Sequence, residues 1–131
     1  DSDLERARTL LASAGRVEVI DESLMDAFTA VAGSGPAYVF AVAEWLEAGA
    51  RELELDPIVA RGIVAQTILG SATMLAKSPE APGDLRAAVT SKGGTTEAAL
   101  RILSAQGVPE AFAAALRAAR DRGAELRAGS R

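Results

Sequence analysis

Two long apolar segments lie next to each other in the middle of this chain, and they limit its fold more than any other feature. The first covers residues 36–55 and the second residues 58–77. Asp56 and Pro57 between them supply a cap and a first-turn proline for the second segment. Both segments predict helices, each roughly 30 Å long. In a chain of 131 residues, two such helices leave a large apolar patch unless another surface covers them.

This pair of helices favours an intertwined homodimer, in which the long helices pack against their copies in a second chain. Gly49 on the apolar face of the first helix would let another helix approach closely. A monomeric bundle with the pair at its centre is the alternative. Residues 58–76 also approach the length of a membrane span, but their glycine and polar residues favour a helix buried on nearly every side.

Glycine and proline residues divide the remaining sequence into further helices. Asp21 or Ser23 can begin a helix, and the run Gly33-Ser34-Gly35-Pro36 ends it. Shorter helices are predicted over three later ranges: 84–89, 95–106 and 110–127. Because every segment after Asp21 has a helical pattern, the predicted fold class is all-α.

The first twenty residues have a different character. A helix over residues 3–14 is followed by Gly15 and by the β-branched run of residues 17–20, which predicts a strand. A single strand needs a partner. Either it pairs with the edge of another chain, or it is the remnant of an α/β domain upstream, and we favour the remnant.

Composition excludes several kinds of site. The sequence has no cysteine and no histidine, so disulfides, thiolate chemistry and a zinc site are not expected, and no metal is predicted. The net charge of −4 argues against a nucleic-acid partner. The charged start, Asp1-Ser2-Asp3, is not typical of a signal peptide, so a cytoplasmic protein without a membrane segment is expected.

The stretch Thr90–Glu97 has the pattern of an anion site. Gly93 and Gly94 can take left-handed backbone angles, so successive N–H groups can converge on one point. The helix predicted from Thr95 adds the positive end of its dipole, which favours a carboxylate or phosphate by roughly 0.3 to 1 kcal/mol. The alternative is an ordinary helix start, with Gly94 or Thr95 as the cap and Glu97 in the first turn.

Two motifs carry a resemblance to a known family. One is Ser34-Gly35-Pro36-Ala37-Tyr38 together with the preceding residues 24–30, and the other is Val89–Thr96. In order and spacing they resemble the C-terminal, dimer-forming domain of pyrroline-5-carboxylate reductases. The resemblance covers residues 21 to about 127, so residues 21–131 are expected to form the helical dimerisation and substrate-binding domain. Residues 1–20 resemble the last helix and strand of the family's N-terminal dinucleotide-binding domain, of the Rossmann type.

The resemblance implies an oxidoreductase that reduces 1-pyrroline-5-carboxylate to proline with NADPH or NADH. The cofactor would be bound mainly by an N-terminal domain, because the sequence lacks the glycine-rich strand-turn-helix that holds a dinucleotide. Gly33-Ser34-Gly35 lies between helices and lacks the third glycine. A homodimer is implied, and a larger ring of dimers stays open. The alternative from another class is an autonomous helical oligomerisation module without catalytic activity.

The family motif also implies roles for single residues. The implied substrate-binding residues are Val89, Ser91, Gly93, Gly94, Thr95 and Thr96. Ser91 and the backbone N–H groups would hold the substrate carboxylate, while Val89 would line the ring or pack in the core instead. Thr96 is the implied catalytic residue: its hydroxyl would orient the ring nitrogen, although capping the helix is its alternative role. Lys92 departs from the family, which commonly has proline there.

Overall fold

The computed structural model describes residues 2–129, and helices account for most of them. The helices, in chain order, are α1 Ser2–Ala12, α2 Met25–Phe28, α3 Gly35–Glu52, α4 Pro57–Lys77, α5 Pro82–Ala88, α6 Thr95–Ala105 and α7 Val108–Gly129. Residues 2–129 contain no strand. The predicted all-α class is therefore confirmed.

The strand predicted over residues 17–20 is wrong. Residues 16–21 belong to no helix, strand or turn, although α1 forms where the first helix was predicted. A strand is stable only when its backbone groups pair with a neighbour. The described part of the chain offers no such neighbour, so the β-branched residues stay outside regular structure. The division of the chain at residues 20 and 21 stays a prediction.

Residues 22–33, which precede the long helices, form a continuous helical segment made of three types of helix. A 3-10 turn, Glu22–Leu24, leads into α2, and a π-helical turn, Thr29–Gly33, follows it. Asp21 caps this segment: its Oδ1 accepts hydrogen bonds from the Ser23 hydroxyl at 2.6 Å and the Ser23 N–H at 2.8 Å. These bonds, the hydroxyl bond first, lower the pKa of Asp21.

Helices α3 and α4 pack against each other as a hairpin. Glu54 turns the chain between them with a φ of 64°. Asp56 then begins α4, because its Oδ1 accepts hydrogen bonds from Ile58 N–H at 2.9 Å and Val59 N–H at 3.1 Å. The cap predicted at Asp56 is confirmed.

The last helix, α7, packs against α2 and the π-helical turn that follows it. It therefore brings the C-terminal part of the described chain next to residues 25–33. Arg127 pairs with the carboxylate of Asp26, whose side chain is 18% exposed. Gly123 permits this approach, since a Cβ on it would lie 3.3 Å from Asp26 Oδ1. Nearby, the Tyr38 hydroxyl donates to the carbonyl of Ala30 at 3.1 Å, and Ala30 is buried. This corner holds α2, α3 and α7 together.

Replacing Arg127 with alanine is expected to lower the free energy of unfolding by about 1 kcal/mol, because the largely covered carboxylate of Asp26 would lose its partner. Urea denaturation followed by circular dichroism measures the change. Arg122→Ala is the matched control, since its pair with Glu125 is exposed on both sides, and its midpoint should not move. Equal midpoints for both variants would contradict the assigned role of the Asp26 pair.

Most apolar side chains of the described chain remain exposed. Only Ala30, Ala60 and Val64 are buried among residues 2–129. The accessible surface is 10549 Å² for 13.4 kDa, whereas a compact monomer of that mass exposes about 6,500 Å². The excess of roughly 4,000 Å² in one chain is well above the roughly 800 Å² that each partner buries in a standard-size interface.

Helix α4 shows this exposure most clearly. The sequence predicts a helix buried on nearly every side, and within one chain just Ala60 and Val64 of α4 are buried. For the assembled dimer the burial of α4 stays a prediction. By length and composition alone, α4 would also suffice to cross a membrane. Large apolar side chains elsewhere on α4 stay exposed in one chain, among them Ile63 at 51% and Leu69 at 61%. The hydrophobic core is thus incomplete in one copy.

Candidate functional site

The predicted anion site is the loop that joins α5 to α6. Helix α5 ends in a tight turn, in which Thr90 N–H donates to the carbonyl of Ala87 at 3.0 Å. The Thr90 hydroxyl donates to the carbonyl of Arg86 at 2.6 Å. These bonds fix the entry of the loop, so the residues that follow start from a defined position.

The two glycines of the loop are needed for different reasons. Gly93 has a φ of +73°, the left-handed region that the sequence predicted and that favours glycine. Gly94 has an ordinary φ of −82°, so the prediction of left-handed angles is wrong for it. Its requirement is space: a Cβ would lie 2.4 Å from Ser91 Oγ and 3.0 Å from the Ser91 carbonyl oxygen. Gly94 N–H donates to that carbonyl at 3.0 Å, which closes the turn.

The start of α6 leaves several hydrogen-bond donors open. Gly94 is the N-cap residue, and no side chain caps the helix. The first bond into the helix runs from Ala98 N–H to the carbonyl of Gly94 at 3.2 Å. The N–H groups of Thr95 and Thr96 therefore have no acceptor among the described residues. The Thr96 hydroxyl does not cap the helix either, so its alternative role is not the one the structure has.

Glu97 contributes the feature that the sequence did not predict. Its Oε2 accepts a hydrogen bond from Gly93 N–H at 2.7 Å. The sequence interpretation placed Glu97 only in the first helical turn. The available signal was a glutamate at the third helical position, which commonly reaches back to an N–H before the helix. An internal carboxylate thus occupies one of the N–H groups predicted for a ligand.

The implied site residues lie together in the loop after α5 and in the first turn of α6. Those residues are Val89, Ser91, Gly93, Gly94, Thr95 and Thr96. Gly94 is half-buried and the other five are exposed, Val89 to 62%. In a single chain, the free N–H groups of Thr95 and Thr96 are therefore not enclosed by other side chains. Lys92 is exposed as well and has no ion pair in the described part of the chain.

Two grooves in the described chain are relevant to the sequence predictions, and neither encloses the site. One, of about 650 Å³, runs beside α6 and is lined in part by Arg86, Glu97 and Arg101. The other, of about 270 Å³, is apolar and lies between α3 and α7, where Tyr38 and Trp45 line it. Tyr38 is therefore a packing residue and not part of the loop.

Comparison with known proteins identifies the family. Residues 22–126 match the family described as pyrroline-5-carboxylate reductase dimerisation. Pyrroline-5-carboxylate reductase 1 of Bacillus spizizenii is 43% identical over 125 residues, which are 95% of this chain and 42% of that protein. Pyrroline-5-carboxylate reductase of Mycobacterium tuberculosis is 43% identical over 141 residues, covering 95% of this chain and 48% of that protein.

Solved structures agree. A pyrroline-5-carboxylate reductase from Coxiella burnetii superimposes with a TM-score of 0.91 at 38% identity, over 96% of this chain and 47% of that one. The Plasmodium falciparum pyrroline carboxylate reductase, solved with NADP bound, gives 0.85 at 30% identity, over 93% of this chain and 49% of that one. The chain thus spans less than half the length of these relatives. It belongs to the pyrroline-5-carboxylate reductase dimerisation family.

Proposed function

We propose that this chain is the substrate-binding and dimerisation portion of an oxidoreductase that reduces 1-pyrroline-5-carboxylate to proline with NADPH or NADH. The observation that supports it best is the open set of donors at the start of α6. Two N–H groups, of Thr95 and Thr96, point out of a helix terminus without an acceptor in the described chain. Such a terminus favours a carboxylate, and family membership supplies a substrate that carries one.

In this proposal the loop residues bind and orient the substrate. The N–H groups of Thr95 and Thr96 and the hydroxyl of Ser91 hold the ring carboxylate, and Val89 contacts the apolar side of the ring. Thr96 is the catalytic residue, because its hydroxyl hydrogen-bonds the ring nitrogen and fixes the C=N bond relative to the hydride donor. A threonine hydroxyl is too weak an acid to supply the proton unaided, so the proton arrives with the imine or through water.

The described residues do not fit a dinucleotide. A nucleotide pyrophosphate needs a strand, a glycine-rich turn and a helix start, and residues 2–129 contain no strand. We therefore assign the nicotinamide cofactor mainly to a part of the enzyme outside this chain. The NADP-bound Plasmodium falciparum relative, of which this chain matches about half, supports that assignment.

The proposal includes a homodimer built through α3 and α4. Its support is the incomplete core: the chain exposes large apolar side chains on both helices, among them Trp45, Ile63 and Leu69. A second copy would cover this surface, and its side chains would help to enclose the exposed loop between α5 and α6. The proposal places α4 in the subunit interface and not in a bilayer, and it places the protein in the cytoplasm without a nucleic-acid partner.

L-Proline is expected to raise the melting temperature of the chain, because a ligand that binds only the folded state stabilises it. At a hundred times the dissociation constant the gain is about 2.7 kcal/mol. Thr96→Ala and Ser91→Ala are expected to reduce the shift, since each removes a hydroxyl from the loop. Differential scanning calorimetry at increasing proline concentration provides the measurement.

Two controls make this test specific. Pyrrolidine has the ring without the carboxylate and should give no shift. Thr9→Ala removes a hydroxyl whose bond is local to α1 and should leave the shift intact. If millimolar proline stabilises neither the chain nor any variant, the oligomerisation module without catalytic activity becomes the better description.

A further inference from the structure

Glu97 lies where an arriving carboxylate would compete with it. Its Oε2 holds Gly93 N–H at 2.7 Å, and Gly93 is next to the N-cap residue of α6. Gly94 N–H is already used by the Ser91 carbonyl. A ligand carboxylate that engages Thr95 and Thr96 thus comes close to a fixed negative charge. Two neighbouring like charges repel each other, and the repulsion weakens binding.

The structure also offers Glu97 a second position. Arg101 follows it by four residues on α6, and both side chains line the same groove of about 650 Å³. A glutamate four residues before a basic residue is the favourable order for an ion pair on a helix. That ion pair is not made in the described chain, and neither Arg101 nor Arg86 has an acidic partner there. The groove therefore contains positive charge at the four-residue spacing at which side chains of one helix meet.

We propose that Glu97 is an internal competitor for the substrate carboxylate, and that it turns from Gly93 to Arg101 when the substrate binds. The inference rests on the proposed function, because it concerns the same loop. Glu97 is a specificity-determining residue in this scheme. A ring compound without a carboxylate leaves Glu97 on Gly93, while a carboxylate repels Glu97, takes the freed donor and is compensated by the new pair at Arg101.

Calorimetric titration of L-proline into four forms of the chain tests the scheme: wild type, Glu97→Gln, Arg101→Gln and the double variant. Glutamine keeps the acceptor oxygen and the size of the side chain while removing the charge. Glu97→Gln is expected to tighten proline binding about threefold to tenfold, the effect of removing one nearby like charge. Arg101→Gln is expected to weaken binding about 1.4-fold to 2.3-fold, the scale of a helical ion pair.

The double variant carries the decisive comparison. A neutral residue 97 forms no ion pair with Arg101. In the Glu97→Gln background, Arg101→Gln should therefore leave the proline affinity unchanged. Glu110→Gln is the matched control, because Glu110 also lies in the first turn of a helix after a glycine with positive φ, Gly107. It changes the net charge equally and should leave proline affinity unchanged.

The outcomes separate this inference from the proposed function. If wild type binds proline and Glu97→Gln binds it equally or more weakly, the competitor role is overturned while the proposed function stands. An Arg101→Gln effect that persists in the double variant would show that Arg101 acts on the ligand directly, which also overturns the scheme. If no form binds proline, the proposed function fails, and this inference fails with it.

Discussion

Replacing Gly94 with alanine is expected to weaken proline binding severalfold, because even a small displacement of the groups that orient a ligand reduces its affinity. The new Cβ would lie 2.4 Å from Ser91 Oγ and 3.0 Å from the Ser91 carbonyl oxygen. The hydroxyl can rotate away, but the carbonyl is backbone and accepts the bond from Gly94 N–H. The turn must therefore shift slightly to relieve this contact, and the N–H groups of Thr95 and Thr96, which follow directly, are expected to shift with it. Calorimetric titration measures the loss.

Two other glycines serve as comparisons for this variant. Gly83→Ala adds a Cβ into open space on α5 and should leave proline affinity unchanged. Gly93→Ala meets no atom within 4 Å but must keep a φ of +73°, so it should cost about 1 kcal/mol of backbone strain. Wild-type affinity in Gly94→Ala would show that the contact with Ser91 does not shape the site.

Replacing Leu69 with aspartate is expected to convert the dimer to a monomer at micromolar concentration. Leu69 lies on α4 and is 61% exposed in one chain, so the proposed dimer would bury it. An unpaired carboxylate in such an interface costs several kcal/mol, which corresponds to a loss of more than about a hundredfold in dimer affinity. Sedimentation velocity of both proteins measures the mass of the assembly directly.

The control for this charge is Leu10→Asp. Leu10 is 75% exposed on α1 and lies outside residues 22–126, which match the dimerisation family, so the variant should keep the mass of the wild type. Far-ultraviolet circular dichroism shows whether Leu69→Asp retains its helices. A wild-type protein that sediments as a monomer, or a Leu69→Asp variant that stays dimeric, would contradict the proposed interface.

The helices could be predicted from sequence where their boundaries depend on local chemistry. Asp56 and Pro57 mark the start of α4 because a carboxylate oxygen satisfies free N–H groups at a helix start and proline lacks one, and both bonds from Asp56 are present. The family resemblance carried the domain assignment further, to the dimerisation domain that residues 22–126 match.

The features that depend on distant partners could not be predicted in this way. Residues 17–20 have a strand composition, yet strands form by pairing, and the described chain supplies no partner. The all-round apolar pattern of α4 indicates burial somewhere but does not say in which chain. The π-helical turn at Thr29–Gly33 was also missed, because its i to i+5 bonds have no distinctive residue pattern.

The candidate site shows the same division. The two glycines before a helix predicted an anion site, and Gly93 has the left-handed φ that was expected. The second glycine is required by the close approach of Ser91, which no local rule gives. Glu97 was interpreted as a helix-start residue, whereas its Oε2 also accepts a hydrogen bond from Gly93 N–H, the contact on which its proposed competition with the substrate rests. Thr96 stays the predicted catalytic residue.

The scarcity of buried side chains in one chain has a kinetic consequence. Only Ala30, Ala60 and Val64 are buried among residues 2–129, so in the proposed dimer most of the hydrophobic free energy becomes available at the encounter of two chains. Refolding would then be a second-order process, whose half-time shortens in proportion as protein concentration rises. In a cell, the rate of synthesis would decide how long each new chain waits with its apolar helices open to proteases and to aggregation.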